Sequence, residues 1–438
     1  MTESIDSGIC ADLGIVRALS TKRGLGGSYW RVWTASLISN VGDGVLLASM
    51  PILASRATTS PTLVGLVATC ATLPWILVSL PAGAIVDRLD RRMVLVAADV
   101  FRALLVGLLA LALAGTDIPI WLLWMLALGL GTGEVFFDLA SQAILPTIVS
   151  TKRLDRANGL RFAAETTGNT FVGPPLGAML FAAAAWIPFA VDSLTFLVAA
   201  ALATTLRGRF RPFESHASPV DQTTPIDRPS WRDDVRSGFA FLGGSPILKS
   251  LIAAGVLGNM SFMVYESTFV LFAREELGIT ERGFGWLLAT IGIGAVAGAA
   301  VADRVVAHFG RRTTMLLGAG GPVAATALIA ATSSAWIVAI MLTVQVVLGT
   351  MWSITAMSLR QQLTPNHLYG RVNSVFRFFA WGSLPIGAFA GGLIATVAGL
   401  RATYLASAGL MACAFTLIVF RLRTATIESA LAHTRAPD

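Results

Sequence analysis

Charge is scarce in this chain. Of 438 residues only 13% are Asp, Glu, Lys or Arg, while 55% are hydrophobic and the mean hydropathy is +0.71. Soluble domains carry about a quarter charged residues. A soluble core of this length would need more polar surface than is present. Cysteine is scarce too. Cys10, Cys70 and Cys413 are far apart and odd in number, so no disulfide framework is implied. The four histidines (His216, His308, His367 and His433) fall in loops or tails at spacings that suit no metal site. Neither a metal nor another cofactor is expected. The most notable hydrophilic stretch is about forty residues, below the size at which a domain usually folds alone, which argues against an enzyme. The net charge of +7 does not call for nucleic acid, because basic loops on one membrane face give the same balance. The N-terminus shows no basic start, apolar core and small-residue cleavage site of a secretory signal.

What is abundant is long apolar sequence. Spans of about 20 residues fall near 30–55, 62–86, 93–114, 119–146, 158–182, 186–206, 247–273, 282–303, 312–332, 335–361, 372–397 and 400–421. That predicts an all-α membrane protein with twelve transmembrane helices and both termini on one side. Arg56, Arg274, Arg282 and Arg401 are the only basic residues assigned to the opposite side, so the termini are expected to be cytoplasmic. Residues 207–246, rich in Pro, Ser, Thr and Arg, read as a linker between two six-helix halves, 29–206 and 247–422. Residues 1–28 and 423–438 read as cytoplasmic tails. Within the linker, WRDDVRSGFAFL puts Trp231, Val235, Phe239 and Leu242 on one helical face, as a helix lying flat at the membrane surface would.

The halves repeat. PAGAIVDRLDRR at 81–92 returns as AGAAVADRVVAHFGRR at 297–312, each between two apolar spans. ILPTIVSTKRLDRANGLRF returns as RQQLTPNHLYGRVNSVFRF, and GNTFVGPPLGAML as WGSLPIGAFAGGL. Gly173 and Gly177 are four apart, as are Gly387 and Gly391, so each pair lets a neighbouring backbone approach closely. Pro174, Pro175 and Pro385 bend those helices.

The 81–92 and 297–312 stretches resemble the loop signature of the major facilitator superfamily, roughly G-x-x-x-D-R-x-G-R-R. Gly83, Asp87, Arg88, Arg91 and Arg92 match in the first copy, with Asp90 at the usual glycine. Gly298, Asp303, Arg304, Gly310, Arg311 and Arg312 match in the second, at wider spacing. The run LPWILVSLPAGAIVDRLDRRMVLVAADVFRA is similar to the branch of bacterial drug and siderophore exporters, the drug:proton antiporter type. Gly168, Gly173, Pro174 and Gly177 resemble that branch's fifth-helix motif with one spacing loosened, and helix packing alone is the equal alternative.

The resemblance implies two pseudo-symmetric six-helix bundles in the inner (plasma) membrane, acting as a monomer. It sets Asp87 and Asp303 against the starts of the eleventh and fifth spans. Arg88, Arg91 and Arg92, with Arg304, Arg311 and Arg312 in the second copy, then form a latch across the halves. It also implies that the first, fourth, seventh and tenth spans line a central cavity. Ionisable groups inside spans are costly unless paired or wetted. Asp43, Glu134, Glu266 and Asp138 are therefore the candidates for proton coupling, since a partly dry cavity favours a carboxyl that keeps its proton. Glu165 reads as paired with Arg161, Asp99 as paired with Arg102, and Asp192 as a packing or capping group. Asn40, Phe136, Asn259, Gln345 and Trp352 are the candidates for the cavity wall, which suits a lipophilic or cationic small molecule. One feature of the branch is missing: the fourth-span stretch LALGLGTGEVFF holds no arginine. Three functions stay open: proton-driven efflux of drugs or a secondary metabolite, carriage of one siderophore, lipid or nutrient, and a scaffold or sensor that no longer transports.

Overall fold

The structure, a computed structural model, describes residues 25–86, 88–150, 153–206, 210, 231–423 and 428. The two tails, most of the linker and Asp87 lie outside the described residues. Every element within them is helical. Nine of these helices are long and apolar enough to cross a membrane. One of the nine, Glu281–Ala331, is two crossings joined at Gly310, whose φ of 79° no helix accommodates. Two further crossings are broken into pieces. The sum is the twelve that the hydropathy predicts.

In chain order the crossings are α1 (Gly27–Ala57) and α2 (Pro61–Thr72, Pro74–Leu77 and Ser79–Val86), then α3 (Arg91–Leu113) and α4 (Ile120–Ile148). α5 comprises Leu154–Glu165, the π-turn Thr166–Val172 and Gly173–Ala183, and α6 is Ile187–Thr204. The second half has α7 (Pro246–Glu266), α8 (281–309), α9 (311–331), α10 (Ala335–Leu363), α11 (Asn366–Ala398) and α12 (Leu400–Arg421). The linker stretch forms the helix Trp231–Gly244, whose Phe239 ring meets Phe379 of α11 edge-on.

The breaks have chemical causes. Pro74 brings no N–H, and α2 restarts there. Pro174 and Pro175 bring none to α5, and the turn before them widens until the Gly173 N–H reaches the Gly168 carbonyl, five residues back. The seventh crossing is shorter than the sequence suggests. α7 stops at Glu266, and a separate buried helix, Phe269–Glu275, follows Ser267 and Thr268.

The glycine pairs do the same work in both halves. Gly168, Gly173 and Gly177 of α5 lie on the α1 backbone between Asn40 and Val45. A Cβ on Gly168 would sit 2.9 Å from the Val41 nitrogen. In the second half Gly387 and Gly391 of α11 press on α7, where a Cβ on Gly387 would sit 2.7 Å from the Met260 carbonyl oxygen. The Arg-Arg loops are also equivalent. Arg92 donates to the Leu206 carbonyl at the end of α6 (2.8 Å), and Arg312 to the Leu422 carbonyl at the end of α12 (3.1 Å).

The face where α1 starts and α12 stops is called proximal, the opposite face distal. At the distal face the halves are sealed. Arg56 pairs with Glu281 at 2.6 Å, Arg274 donates to the Ser55 carbonyl at 2.8 Å, and Thr62 bonds Thr396 at 2.7 Å. Gly65 and Gly392 let α2 and α11 touch backbone to backbone there.

Replacing Gly173 by Leu should lower thermal stability in detergent by roughly 1–3 kcal/mol, through overpacking against Gly44. Gly409→Ala, where an added Cβ meets nothing within 4 Å, should leave the melting temperature unchanged. Equal melting of both variants would contradict the backbone contact.

Candidate functional site

Two polar centres lie inside the bundle, one in each half, with an ionic bridge between the halves. The first surrounds Arg102 of α3. Its Nη2 donates to Asp99 at 2.6 Å, one turn earlier on the same helix. Its Nη1 faces Asp43 of α1 at 3.5 Å. The guanidinium lies between the rings of Phe137 and Phe196, 4.6 and 4.2 Å from their centroids. Arg102 and Asp99 are 2% and 1% exposed at the side chain, whereas Asp43 is 27% exposed, so the pair is sealed and Asp43 is its outlet. Asp192 of α6 is wholly buried against Gly42, accepts from Thr195 at 3.1 Å and leaves Oδ2 without a partner. Glu134 of α4 is mid-span and exposed. It lies one turn from Asp138, on the α4 face turned to the other half.

The second centre is a cavity of about 890 Å³ on the C-half side. Its wall includes Asn259, Phe262 and Tyr265 of α7, Gln345 and Trp352 of α10, and Phe162 of α5. Asn259 donates to the Ala380 carbonyl at 2.7 Å, which fixes its amide. Gln345 donates to the Tyr265 hydroxyl at 2.9 Å, and the Tyr265 ring stacks on Tyr404 at 5.2 Å. The size is that of a drug-binding cleft.

The bridge joins α4 to α11. Arg377 meets Asp138 at 3.1 Å and the Gln142 side-chain oxygen at 3.1 Å. Asp138 also faces Arg161 of α5 at 3.7 Å, and Arg161 faces Glu165 at 3.9 Å. Beside it, Trp75 of α2 and Trp381 of α11 bring their ring centroids within 4.1 Å. The α5–α8 side differs: Phe162, Val296 and Ala299 all line the cavity there. The distal seal and the cavity together describe a molecule open toward its proximal face.

Several expectations need correction. Asp138 is an ion-pair partner of the opposite half rather than a free carboxyl. Phe136 is absent from the wall of the 890 Å³ cavity and packs with Trp75, Val135 and Trp381. Asn40 is absent from it too: its amide donates to the Ser36 carbonyl at 2.6 Å, and it lies against Gly168. Among the described residues, no bond of the loop arginines crosses the halves. Arg91 donates to the Ala143 carbonyl of α4, and Arg92 and Arg312 bond within their own bundles. Arg304 donates to Ala300 of its own helix, and Asp303 and Arg88 are exposed. The physical reason is that these loops sit at the proximal face, where the cavity opens. An added Cβ at Gly83 meets nothing within 4 Å, so close packing does not demand glycine there. The Arg161–Glu165 pair is present as read from the spacing.

Sequence reasoning misses Arg377 and the reach of the Arg102 cluster. The absent fourth-span arginine is the available signal. A mid-bilayer acid needs a cation, and Arg102 is the buried one that α3 supplies.

A model of the Major Facilitator Superfamily matches residues 32–385 and, in a second alignment, 260–436, and the chain belongs to that family. It is a membrane transporter by fold. It is 28% identical over 399 residues to the multidrug efflux pump Tap of Mycolicibacterium fortuitum, covering 85% of this chain and 90% of that one. It is 20% identical over 263 residues to macrolide efflux protein A of Streptococcus pyogenes, covering 58% and 63%. Among solved structures, the nucleoside transporter NupG superposes with a TM-score of 0.69 at 11% identity, over 91% of this chain and all of that one. At that identity the likeness concerns the fold.

Asp138→Asn should loosen the bridge. A cysteine placed at Ala163 on the cavity wall should then react several-fold faster with a bulky maleimide. The exchange Asp138→Arg with Arg377→Asp should restore the slower rate, and an exchange that behaves like the single variant would count against a direct pair.

Proposed function

We propose that the protein exports amphipathic small molecules across the plasma membrane in exchange for protons, with its proximal face in the cytoplasm. The observation that carries this reading is the Arg102 cluster. Asp99 and Asp43 pair with one buried guanidinium, Asp192 lies buried beside Gly42, and Asp43 and Glu134 keep contact with water. Two carboxylates on one fixed cation, with further acids on the facing helices, make a site whose charge balance a proton can settle. The wide, aromatic cavity of the other half and the efflux activity in the names of both sequence relatives support the drug-export reading.

The cycle follows from the geometry. With the proximal side open, a substrate enters the C-half cavity from the cytoplasm. Asp43 is the part of the Arg102 site that reaches the gap, so it and Glu134 exchange protons with that water. When the halves rock, the distal contacts of Arg56 with Glu281 and Thr62 with Thr396 part, and substrate leaves outward. Protons then load from outside and are carried in. One chain holds both halves and the whole path, which suits a monomer.

Reconstitution in liposomes with an imposed pH gradient tests this. Rhodamine 6G should move against the proton flow, and an uncoupler should stop it. Asp43→Asn and Arg102→Gln should each cut gradient-driven flux at least tenfold while dye binding persists. Flux indifferent to the gradient in the wild type would overturn the coupling.

A further inference from the structure

Asp43 opens the Arg102 site to the gap, but Asp99 borders a second space. A small chamber with about 10 Å³ of free room lies inside the first half, between α1, α3, α4 and α6. One water needs roughly 10–15 Å³ of such room and about two to four polar partners. Asp99, Ser36 and Ser141 line the chamber and are 1%, 5% and 3% exposed. Buried hydroxyls elsewhere in the spans bond a carbonyl of the preceding turn, as those of Ser49, Ser250, Thr314 and Thr326 do. Among the described residues, the hydroxyls of Ser36 and Ser141 have no such bond and no other partner. A buried hydroxyl left so is costly, and a water shared with Asp99 removes the cost.

The chamber lies just proximal to the guanidinium. Ser36 is two turns before Asp43 on α1, and Asp99 one turn before Arg102 on α3. Ser141 is one turn after Phe137 on α4, and Ala199 and Ala203 follow Phe196 on α6 by one and two turns. α1 and α3 run away from the proximal face while α4 and α6 run toward it, so all four offsets point the same way. The floor is Val32, Leu95 and Leu206, and the Leu206 carbonyl is held by Arg92, half-buried at the proximal end. The other acids of these spans, Asp43, Glu134, Asp138 and Asp192, do not line the chamber.

We propose that this chamber is a one-water site through which Asp99 exchanges its proton with the proximal side, a branch separate from the gap that serves Asp43. The water takes the Asp99 proton as it gives one of its own to a serine hydroxyl, whose proton moves on toward the proximal end. The carboxylate left behind stays paired with Arg102. Ser36 and Ser141 are positioning residues for that water. The proposal rests on reading the Arg102 cluster as the coupling site, and it adds the route.

Two measurements on the full chain test it. In nanodiscs, X-ray pulses turn a bound water into hydroxyl radical, which oxidises the side chains beside it. Leu95 and Leu206 should be oxidised several-fold faster than Leu109, which is as buried but lies outside the chamber. Ser141→Val, which fills the chamber, should bring both down to the Leu109 rate. Equal oxidation of the three in the wild type overturns the water site. In proteoliposomes, Ser141→Val should cut gradient-driven rhodamine 6G flux at least fivefold. Ser141→Ala keeps the room and leaves Ser36 in place, so it should cut that flux less than twofold. Dye counterflow without a gradient, which moves no net proton, should change less than twofold in both. Ala203→Leu fills the same space from α6 and should behave as Ser141→Val does, which keeps the test open if that variant does not fold. Driven flux untouched by a filled chamber, or counterflow lost along with it, overturns the branch. A wild type whose flux ignores the gradient sinks the coupling reading and the branch with it, while the oxidation pattern still decides the water site.

Discussion

A guanidinium does not give up its proton at any pH a cell offers, and it cannot stand alone in hydrocarbon. Arg102 therefore dictates its surroundings. Asp99 binds it tightly from the same helix, Asp43 approaches from α1, and two aromatic rings cover its faces. With α3 so fixed, Gly133 of α4 must be bare, because an added Cβ there would meet the Arg102 stem at 2.6 Å. Gly42 of α1 must be bare for the same reason against Asp192. Four helices of the first half are thus placed by one fixed charge and its partners. The acids that remain wetted, Asp43 in part and Glu134 more fully, are the ones beside the gap between the halves.

The second half has no such cluster among its described residues. Its buried polar groups are neutral apart from Glu266 and Arg360, and its interior is opened into a cavity. The pseudo-symmetry survives where it concerns backbone approach, as in the glycine contacts of α5 with α1 and of α11 with α7. It fails where it concerns charge. The halves meet through unlike contacts at their two ends. Hydroxyls, small residues and one exposed ion pair close the distal end, while an Arg–Asp pair and two indoles bridge α2 and α4 to α11 further in. Such contacts are individually weak and can be exchanged. A molecule that rocks between two closures needs that.

Much of the architecture is legible in the sequence because apolar length and Arg/Lys bias answer to the bilayer alone. Each of the twelve crossings appears near its expected place, and the repeat of glycine pairs announces equivalent packing. The breaks at Pro74 and Pro174 follow from missing donors. The early stop at Glu266 does not, since nothing in the stretch from Met263 to Ala273 signals a helix end. Asn259, Gln345 and Trp352 are found by face and depth. Asp192 and Arg102 are undervalued by the same reasoning, because position on an outer helix says nothing about the direction a side chain takes. Asp138 is misread because its partner, Arg377, lies 239 residues away in the other half. No local pattern reports a contact of that kind.

The spacing of Asp99 and Arg102 has a consequence for biosynthesis. A nascent α3 must partition into lipid before α4 and α6 have been made, and an arginine at the middle of a helix resists that step by about 2.5–3.5 kcal/mol. Because its counter-ion sits three residues earlier on the same helix, the segment can leave the translocon as an internally neutral rod. Asp43 is already waiting in the first helix to receive it. The order of synthesis and the order of charge compensation then coincide, and a chain with the acid moved to a later helix would have to carry a bare cation into the bilayer.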